Sequence, residues 1–347
     1  MAVLVRKDGR TVFERGYGVR DLRSFTPIDA RTDFRLASFT KQFTAMATML
    51  LVHEGKLRYD ERLTEIFPNF PAYGRAITVR HLLTHTSGLP DYEDLMDEKV
   101  WTPTHQINDQ EVLELLEQQT RPKFEPGTSW AYSNSAYVLL GLAVAKASGE
   151  PFGEFLHDRI FAPLRMRDTL AFVNGRNTVP NRAYGHTKEG ARFVETDQSP
   201  TSATLGDGGV YSNLADLAKW DEALQAHSLL PAEAMQAALT PVKLADGSAP
   251  KWPATPGDDN LNPGQPVSYG FGWFLDPYEG HARMWHSGTT VGFRTVIERF
   301  TAERLTIIVL CNRTDLDPAS LALKVAGIFL GDHRASRVDP MIALRYE

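Results

Sequence analysis

The sequence has a single cysteine, no large excess of charge of either sign and no long apolar run. With Cys311 alone among 347 residues, an intramolecular disulfide and a metal site built on cysteines are both excluded. A net charge of −6 lacks the basic balance typical of nucleic-acid-binding proteins, so no nucleic-acid partner is expected. The longest apolar run, residues 136–145, is about half of the ~20 residues that a membrane span needs.

The first residues do not have the pattern of an export signal. In residues 1–9 no basic segment leads into an apolar stretch, and the chain opens directly in a strand-like pattern. The sequence as it stands therefore predicts a cytoplasmic location. If the natural chain begins further upstream, a periplasmic or secreted location is expected instead.

Strand-like segments cluster at the two ends of the chain. Residues 2–6 and 11–16 flank an Asp-Gly turn, which is typical of a β-hairpin. Near the other end, a helix is predicted over residues 321–330, and strands over residues 269–276, 282–285, 290–300 and 304–311. Hairpin connections of this kind predict an antiparallel sheet to which both ends of the chain contribute.

The middle of the chain has helical periodicity and one long irregular segment. Helices are predicted over residues 136–148 and 214–226, and a capping box at Asn108 begins another helix. Six prolines in residues 241–268 predict a long loop.

These patterns predict the α+β fold class, with helices flanking the sheet. No internal repeat and no clean linker divides the chain, so a single domain over residues 1–347 is expected. Its α/β lobe would come from residues 1–60 and 268–347, and residues 61–267 would form an inserted, mainly helical lobe.

Ser38 and Lys41 stand at the start of a segment with a strong helical pattern. Residues three apart on a helix share one face, with Cβ atoms roughly 5–6 Å apart. Unpaired N–H groups at a helix N-terminus suit a developing oxyanion, and a lysine whose pKa is lowered by burial can accept the serine proton. The ordinary alternative is a serine cap followed by a solvated lysine. The same spacing recurs by chance in Ser248 and Lys251, within the proline-rich loop.

The tripeptide Tyr-Ser-Asn precedes two of the predicted helices, at residues 132–134 and 211–213. A tyrosine can transfer a proton, and an asparagine amide can hold a substrate carbonyl. Serine and asparagine are equally common as simple helix caps. Local features do not separate the two copies.

His286, Ser287 and Gly288 fall between two predicted strands. A glycine at a strand edge lets a substrate backbone approach closely, and a histidine there can act as an acid or a cation near neutral pH. A structural, partly buried histidine is the ordinary alternative.

In combination and in this order, the three patterns resemble the serine β-lactamase and penicillin-binding superfamily. The Tyr-x-Asn and His-x-Gly forms are similar to the class C β-lactamase branch, with its DD-peptidase, D-aminopeptidase and family VIII carboxylesterase relatives. The likeness spans nearly the whole chain, including residues 34–44, 77–89, 124–127 and 208–212. The family spacing of roughly ninety residues selects Tyr132, which follows Ser38 by 94 residues. Tyr211 is then expected to shape the floor of the site.

The resemblance implies a two-step acyl transfer. Ser38 would attack the substrate carbonyl and become acylated, while Lys41 and Tyr132 would move the protons. Which of these two is the base stays open, because they are expected to titrate as a coupled pair. The backbone N–H groups of Ser38 and Thr289 would hold the oxyanion.

The resemblance also implies substrate contacts for Asn134, on the acyl side, and for His286, Ser287 and Gly288. β-Lactamases mostly have a lysine where this chain has His286, and a histidine of ordinary pKa is only partly charged at neutral pH. Arg294 offers a replacement cation, although a solvated arginine on a strand is the simpler interpretation.

The expected activity is therefore hydrolysis of ester or amide bonds, as in a carboxylesterase or a D-amino-acid peptidase or DD-peptidase. Weak β-lactamase activity at best is expected, because anchoring of a substrate carboxylate should weaken. A class C-like β-lactamase and a non-catalytic penicillin-binding or sensor protein are the alternatives.

No metal and no cofactor is expected. His81 and His85 are four residues apart on a predicted short helix, a spacing that can bind zinc, but the glutamate of the zinc-protease pattern is absent. The chain also lacks the Gly-x-Ser-x-Gly motif of α/β-hydrolases and a phosphate-binding glycine loop. The expected partner is a small molecule or short peptide, bound between residues 91–107 and 241–268. The oligomeric state is left open.

Overall fold

The computed structural model of the protein describes residues 1–254 and 262–331. Pro256 of the predicted loop and residues 332–347 of the predicted α/β lobe lie outside the described residues. The strands are β1 Ala2–Lys7, β2 Arg10–Gly16, β3 Phe34–Arg35, β4 Leu170–Ala171, β5 His186–Glu189, β6 Arg192–Glu195, β7 Val210–Ser212, β8 Met284–Thr290, β9 Phe293–Phe300 and β10 Leu305–Cys311. The α-helices are α1 Lys41–His53, α2 Leu63–Ile66, α3 Val79–Leu83, α4 Tyr92–Leu95, α5 Asp109–Glu117, α6 Asn134–Ser148, α7 Phe152–Leu156, α8 Leu214–Ala226, α9 Ala232–Met235 and α10 Pro318–Leu330. Short 3₁₀ turns span Ala37–Thr40 and Ala72–Ala76, and a π-helical turn spans His157–Phe161.

A five-stranded antiparallel sheet joins the two ends of the chain in the order β2-β1-β10-β9-β8. β1 pairs with β10 from Ala2 opposite Leu310 to Lys7 opposite Leu305. The predicted hairpin between β1 and β2 turns at an Asp-Gly pair, and both of its residues have positive φ. The prediction of an α+β fold, with a sheet built from both chain ends, is confirmed.

The sheet separates two hydrophobic cores. Because side chains alternate along a strand, Leu4 of β1 faces the larger core while Val3 and Val5 face the smaller one. Helices α1 and α6 pack together within the larger core, and α10 covers the opposite face of the sheet. The described helices include none with the length and apolar character needed to cross a membrane.

Two local predictions near β8 are wrong. Residues 269–276 form a bend held by single bridges rather than a strand. A Cβ on Gly272, which has a φ of +75°, would lie 2.8 Å from the Lys41 carbonyl oxygen, so glycine allows the bend to pack on the start of α1. The strand predicted to end at Trp285 continues to Thr290, which places His286 inside a strand rather than between two.

Candidate active site

Ser38 lies on the 3₁₀ turn that precedes α1, and not on the first turn of the α-helix itself. Ala37 immediately before it has a φ of +49°, in the left-handed region that residues other than glycine rarely adopt. Backbone strain of this kind tends to occur at functional sites. The Ser38 side chain is half-buried, whereas the other residues of the turn are buried.

Lys41 is fully buried, and its ammonium nitrogen contacts oxygens from three segments of the chain. Nζ donates to Ser38 Oγ at 3.1 Å, to Asn134 Oδ1 at 2.8 Å and to the Asp207 carbonyl oxygen at 3.0 Å. It also lies 4.8 Å from the centroid of the Tyr132 ring. These hydrogen bonds offset the cost of burying the charge. The Ser38–Lys41 distance is within the range for direct proton transfer.

Asn134 reaches Lys41 because the residue before it caps the helix. Ser133 Oγ accepts the Ala136 N–H at 3.1 Å, so α6 begins at Asn134 and the amide of Asn134 points out of the helix end. Its Nδ2 donates to Glu93 Oε1 at 3.3 Å, and its backbone N–H donates to Asp91 Oδ2 at 3.4 Å. The sequence marked residues 91–107 only as a cleft edge and did not single out these two carboxylates.

His85 packs directly against Tyr132. Its backbone carbonyl accepts the Ala131 N–H at 3.0 Å, and its Nδ1 accepts the Ser133 N–H at 3.1 Å. The centroids of the His85 and Tyr132 rings are 4.5 Å apart. Burial, helped by the positive charge of Lys41, holds the pKa of His85 well below its ordinary value. The ring is therefore a neutral hydrogen-bond acceptor at Nδ1.

The spacing of His81 and His85 does not place them on one helical face. Helix α3 ends at Leu83, and His85 follows with a φ of +59°. Nδ1 of His81 accepts the Thr78 N–H at 3.2 Å, so each histidine already uses one ring nitrogen on the backbone. Within residues 1–254 and 262–331, no group of three or more His, Cys, Asp or Glu side chains is arranged to hold a metal ion.

His286 is neutral and almost completely buried, with 1% of its surface exposed. Its Nδ1 lies 2.7 Å from the Ser287 carbonyl oxygen, and because a carbonyl only accepts, Nδ1 carries the proton. Nε2 then accepts from the Tyr269 hydroxyl at 3.1 Å. Burial, with the charge of Lys41, lowers the pKa of His286 to about 3. The expectation of a partly charged histidine is therefore corrected, because desolvation removes the charge.

One face of β8 packs against the segment that leads into the 3₁₀ turn. A Cβ on Gly288 would lie 2.0 Å from the Leu36 carbonyl oxygen, so only glycine permits this approach. Trp285 exchanges both backbone hydrogen bonds with Phe274, on the side of β8 away from β9. Since backbone groups alternate in direction along an antiparallel strand, the N–H of Thr289 points to that same edge.

Arg294 and Tyr211 make their hydrogen bonds with residues other than Ser38, Lys41 and Asn134. Arg294 donates through Nη1 to the carbonyls of Thr290 at 2.7 Å and Phe293 at 2.9 Å, which are the residues flanking the β8–β9 turn. Tyr211 is buried on β7, where its hydroxyl accepts from Arg182 at 3.1 Å. The guanidinium of Arg294, which was only the alternative candidate for a replacement cation, is thus engaged in its own hairpin.

A hydrophobic, mainly aromatic cluster, which the sequence pattern does not indicate, lies behind Tyr132 and His286. Its buried members are Trp130, Trp252, Val267, Tyr269, Phe274 and Trp285. Trp252 and Val267 belong to the described parts of the proline-rich segment, which therefore pack beside the site. Its alternating prolines and polar residues gave no periodic signal for such contacts.

Comparison with known proteins identifies the family. The family model described as Beta-lactamase matches residues 1–327. Penicillin-binding protein 4* of Bacillus subtilis (strain 168) is 30% identical over 371 residues, covering 99% of this chain and 77% of that protein.

Two solved structures extend the match to the fold. An octameric penicillin-binding protein homologue from Pyrococcus abyssi has a TM-score of 0.79 and 27% identity, covering 95% of this chain and 73% of that one. D-amino acid amidase from Ochrobactrum anthropi SV3, in complex with L-phenylalanine amide, has a TM-score of 0.71 and 27% identity, covering 93% and 88%. The resemblance carried by the three motifs is confirmed, and the chain belongs to the beta-lactamase family.

Proposed function

We propose that the protein is a serine hydrolase of the D-aminopeptidase and D-amino acid amidase type. Its substrate would be a D-amino acid with a free α-amino group, joined through its carboxyl group to an amine. Membership of the beta-lactamase family supports a hydrolase, and the similarity to a D-amino acid amidase supports this substrate class. The observation that carries the choice within the family is the distribution of charge across the site.

Among the described residues, neither of the two cation candidates on the His-x-Gly side of the site, His286 and Arg294, is placed to bind a substrate carboxylate. A DD-peptidase substrate ends in a carboxylate next to the scissile bond, and a cephalosporin carries one close to its lactam ring. At the edge strand β8, His286 is neutral, because its pKa is about 3, and it is hydrogen-bonded to Tyr269. Arg294 is bonded to its own hairpin. Neutral leaving groups are therefore favoured on this side.

The opposite side of the site carries negative charge. The carboxylates of Glu93 and Asp91 both accept hydrogen bonds from Asn134, the residue assigned to the acyl side of the substrate. A substrate ammonium group beside the acyl carbonyl is favoured here, and a carboxylate in that position is repelled.

In the proposed reaction, Ser38 Oγ forms a bond to the substrate carbonyl carbon while its proton passes to whichever of Lys41 and Tyr132 is unprotonated in the reacting enzyme. The N–H groups of Ser38 and Thr289 hold the oxyanion, and Tyr132 delivers a proton to the departing amine. Water then attacks the acyl-enzyme and loses a proton to the same pair of residues. The bond between the acyl carbon and Ser38 Oγ breaks, and the pair returns a proton to Oγ as the free amino acid leaves. Asn134 orients the acyl side throughout.

The test is a substrate panel at equal enzyme concentration. D-Phenylalanine amide is expected to turn over faster than its N-acetyl derivative, a chromogenic cephalosporin and N-acyl-D-Ala-D-Ala. A short-chain p-nitrophenyl ester, which needs no anchoring charge, should also be hydrolysed. Faster turnover of the cephalosporin or of N-acyl-D-Ala-D-Ala than of the amide would overturn the proposal.

Glu93→Gln isolates the charge argument, with Asp94→Asn as its matched control. Asp94 is the exposed neighbouring carboxylate and pairs with Lys123 at 2.8 Å, away from Asn134. Glu93→Gln should raise KM for the amide about tenfold and leave the ester unchanged, since one favourable ionic contact is lost. Asp94→Asn should change neither. Equal effects of the two variants on the amide would contradict the assignment.

A further inference from the structure

His85 lies at the junction of the second and third motifs. Its ring centroid is 4.5 Å from that of Tyr132 and 4.6 Å from that of Tyr269. The Tyr269 hydroxyl in turn donates to His286. The buried His85 ring therefore packs against Tyr132 of the Tyr-x-Asn segment and against Tyr269, which is hydrogen-bonded to His286 of the His-x-Gly segment.

The polar contacts of His85 flank Tyr132 on both sides along the chain. Its carbonyl oxygen accepts the N–H of Ala131, and its Nδ1 accepts the N–H of Ser133. These two bonds hold the backbone immediately before and after Tyr132, while the imidazole ring packs on the phenol between them. The backbone and the side chain of Tyr132 are thus fixed by the same residue.

A histidine meets requirements that an apolar residue of similar size does not. The Ser133 N–H lies in a buried setting, where loss of its acceptor would leave an unpaired donor. The acceptor must also be uncharged, because the ammonium group of Lys41 lies close by.

Among possible replacements, asparagine places its Oδ1 at the branch position of histidine Nδ1, and it tolerates positive φ better than most residues. Glutamine carries its acceptor one carbon further out.

We propose that His85 is the positioning residue that sets the Tyr132 phenol over Lys41 for proton delivery to the leaving group. This inference rests on the proposed function, in which Tyr132 protonates the departing amine. His85 does not itself touch substrate. Its removal should therefore impair catalysis according to how strongly the leaving group depends on protonation.

The experiment compares two substrates with the same acyl group, a D-alanine p-nitroanilide and a D-alanine p-nitrophenyl ester. The anilide leaves as an amine that needs a proton, whereas p-nitrophenolate leaves without one. The ratio of kcat/KM for anilide to that for ester reports acid delivery and cancels the loss of folded enzyme. His85→Leu and His85→Gln should lower this ratio about tenfold or more. His85→Asn keeps the acceptor for the Ser133 N–H but not the ring, so it should lower the ratio less than either. The His85→Gln and His85→Asn pair keeps the test valid if His85→Leu fails to fold.

His81→Leu is the matched control. This substitution removes a hydrogen bond of the same kind, from the Thr78 N–H to an imidazole Nδ1. The bond holds the start of α3 and not the segment around Tyr132. Its stability should fall, and its anilide-to-ester ratio should match that of wild type. In addition, His85→Leu combined with Tyr132→Phe should have the ratio of Tyr132→Phe alone, because both changes act through one group.

The outcomes separate this inference from the proposed function. If Tyr132→Phe lowers the ratio but neither His85→Leu nor His85→Gln does, the positioning role is overturned and the role of Tyr132 stands. If Tyr132→Phe itself leaves the ratio unchanged, the proposed acid and the role of His85 are overturned together. A ratio in His81→Leu that falls as far as in His85→Leu would also overturn the inference.

Discussion

Residues 132–134 and residues 211–213 have the same sequence, Tyr-Ser-Asn, and each segment leads into a long helix. In the first copy, Ser133 caps α6 and Asn134 is the first helical residue. The amide oxygen of Asn134 then accepts from Lys41 at 2.8 Å. The half-buried Tyr132 ring lies beside the same ammonium group.

In the second copy, the asparagine itself is the cap. Asn213 Oδ1 accepts the Asp216 N–H at 2.9 Å, and its Nδ2 donates to Asp33 at 2.7 Å. Tyr211 is buried on β7 and bonded to Arg182. A shift of the helix cap by one residue thus decides whether the asparagine side chain stabilises its own helix or contacts the neighbouring lysine.

The two Ser-x-x-Lys segments also share a sequence pattern but differ in their structural surroundings. Ser38 and Lys41 lie on a 3₁₀ turn and the start of α1, within hydrogen-bonding distance. Ser248 and Lys251 are both exposed, and the Ser248 N–H donates to Asp246 in a local turn. The same pair of residues is suited to catalysis only where the fold buries the lysine and supplies its other hydrogen-bond partners.

The largest expected effect separates the two serines. Ser38→Ala should lower kcat on D-amino acid amides by about 10⁴-fold or more, because the nucleophile is lost. Ser248→Ala should stay within about twofold of wild type. Steady-state assays of the two variants side by side make the comparison, and comparable losses would remove the distinction between the segments.

The two tyrosines are expected to differ next. Tyr132→Phe should reduce kcat on amides by about 10²- to 10³-fold, because a group that moves a proton is lost. Tyr211→Phe removes the acceptor of a hydrogen bond from Arg182 and should cost about 1 kcal/mol in the free energy of unfolding. Amide turnover and urea unfolding of both variants check these values. A catalytic loss in Tyr211→Phe as large as that in Tyr132→Phe would break the comparison.

The two asparagines should show opposite profiles. Asn134→Ala is expected to lower kcat/KM about tenfold to a hundredfold with little change in stability. Asn213→Ala loses both a helix cap and a buried bond to Asp33, so it should lose about 1–3 kcal/mol of stability while the folded enzyme keeps its activity. Thermal unfolding and active-site titration distinguish the two. The assignment fails if Asn134→Ala is the less stable and the more active variant.

The smallest expected effect concerns the pH dependence of stability, to which His286 and Asp33 contribute with opposite signs. His286 has a pKa of about 3 when folded, below its unfolded value near 6.5, so its contribution to stability is lost as pH falls through that window. Burial raises the pKa of Asp33 to about 7, above its unfolded value near 3.8, so its contribution is lost as pH rises through that window.

Urea unfolding between pH 4.5 and 6.5 tests this opposition. Relative to wild type, His286→Gln should make the slope of unfolding free energy against pH more negative, and Asp33→Asn should make it more positive. Neither substitution should change this slope by more than about 1.4 kcal/mol per pH unit, the limit for one titrating group. Shifts of the same sign in the two variants would contradict the pKa assignments.

Local patterns in the sequence predicted much of the fold. The Asp-Gly hairpin, the capping box at Asn108 and the helix over residues 214–226 all have the predicted positions. Each depends on contacts within a few residues, which periodicity and turn chemistry report directly. The segment 269–276 was misjudged because its two glycines serve close packing against Ala238 and α1, a contact that the local pattern does not contain.

The site was predicted only in part, for a physical reason. Only the family spacing selects Tyr132 over Tyr211, because the position of the cap within each tripeptide depends on tertiary contacts. The neutral state of His286 requires burial and the nearby charge of Lys41. Glu93 meets Asn134 across 41 residues of chain, and His85 meets Ser133 across 48. Pairings over such distances leave no periodic signal.

The most direct test of the central claim, that Ser38 and not its duplicate is the nucleophile, is covalent labelling. The protein is incubated with an active-site phosphonylating reagent, its intact mass is measured, and the modified peptide is mapped. The account predicts one adduct, located on Ser38, retained in Ser248→Ala and absent from Ser38→Ala. No adduct, or an adduct on any other residue, would contradict it.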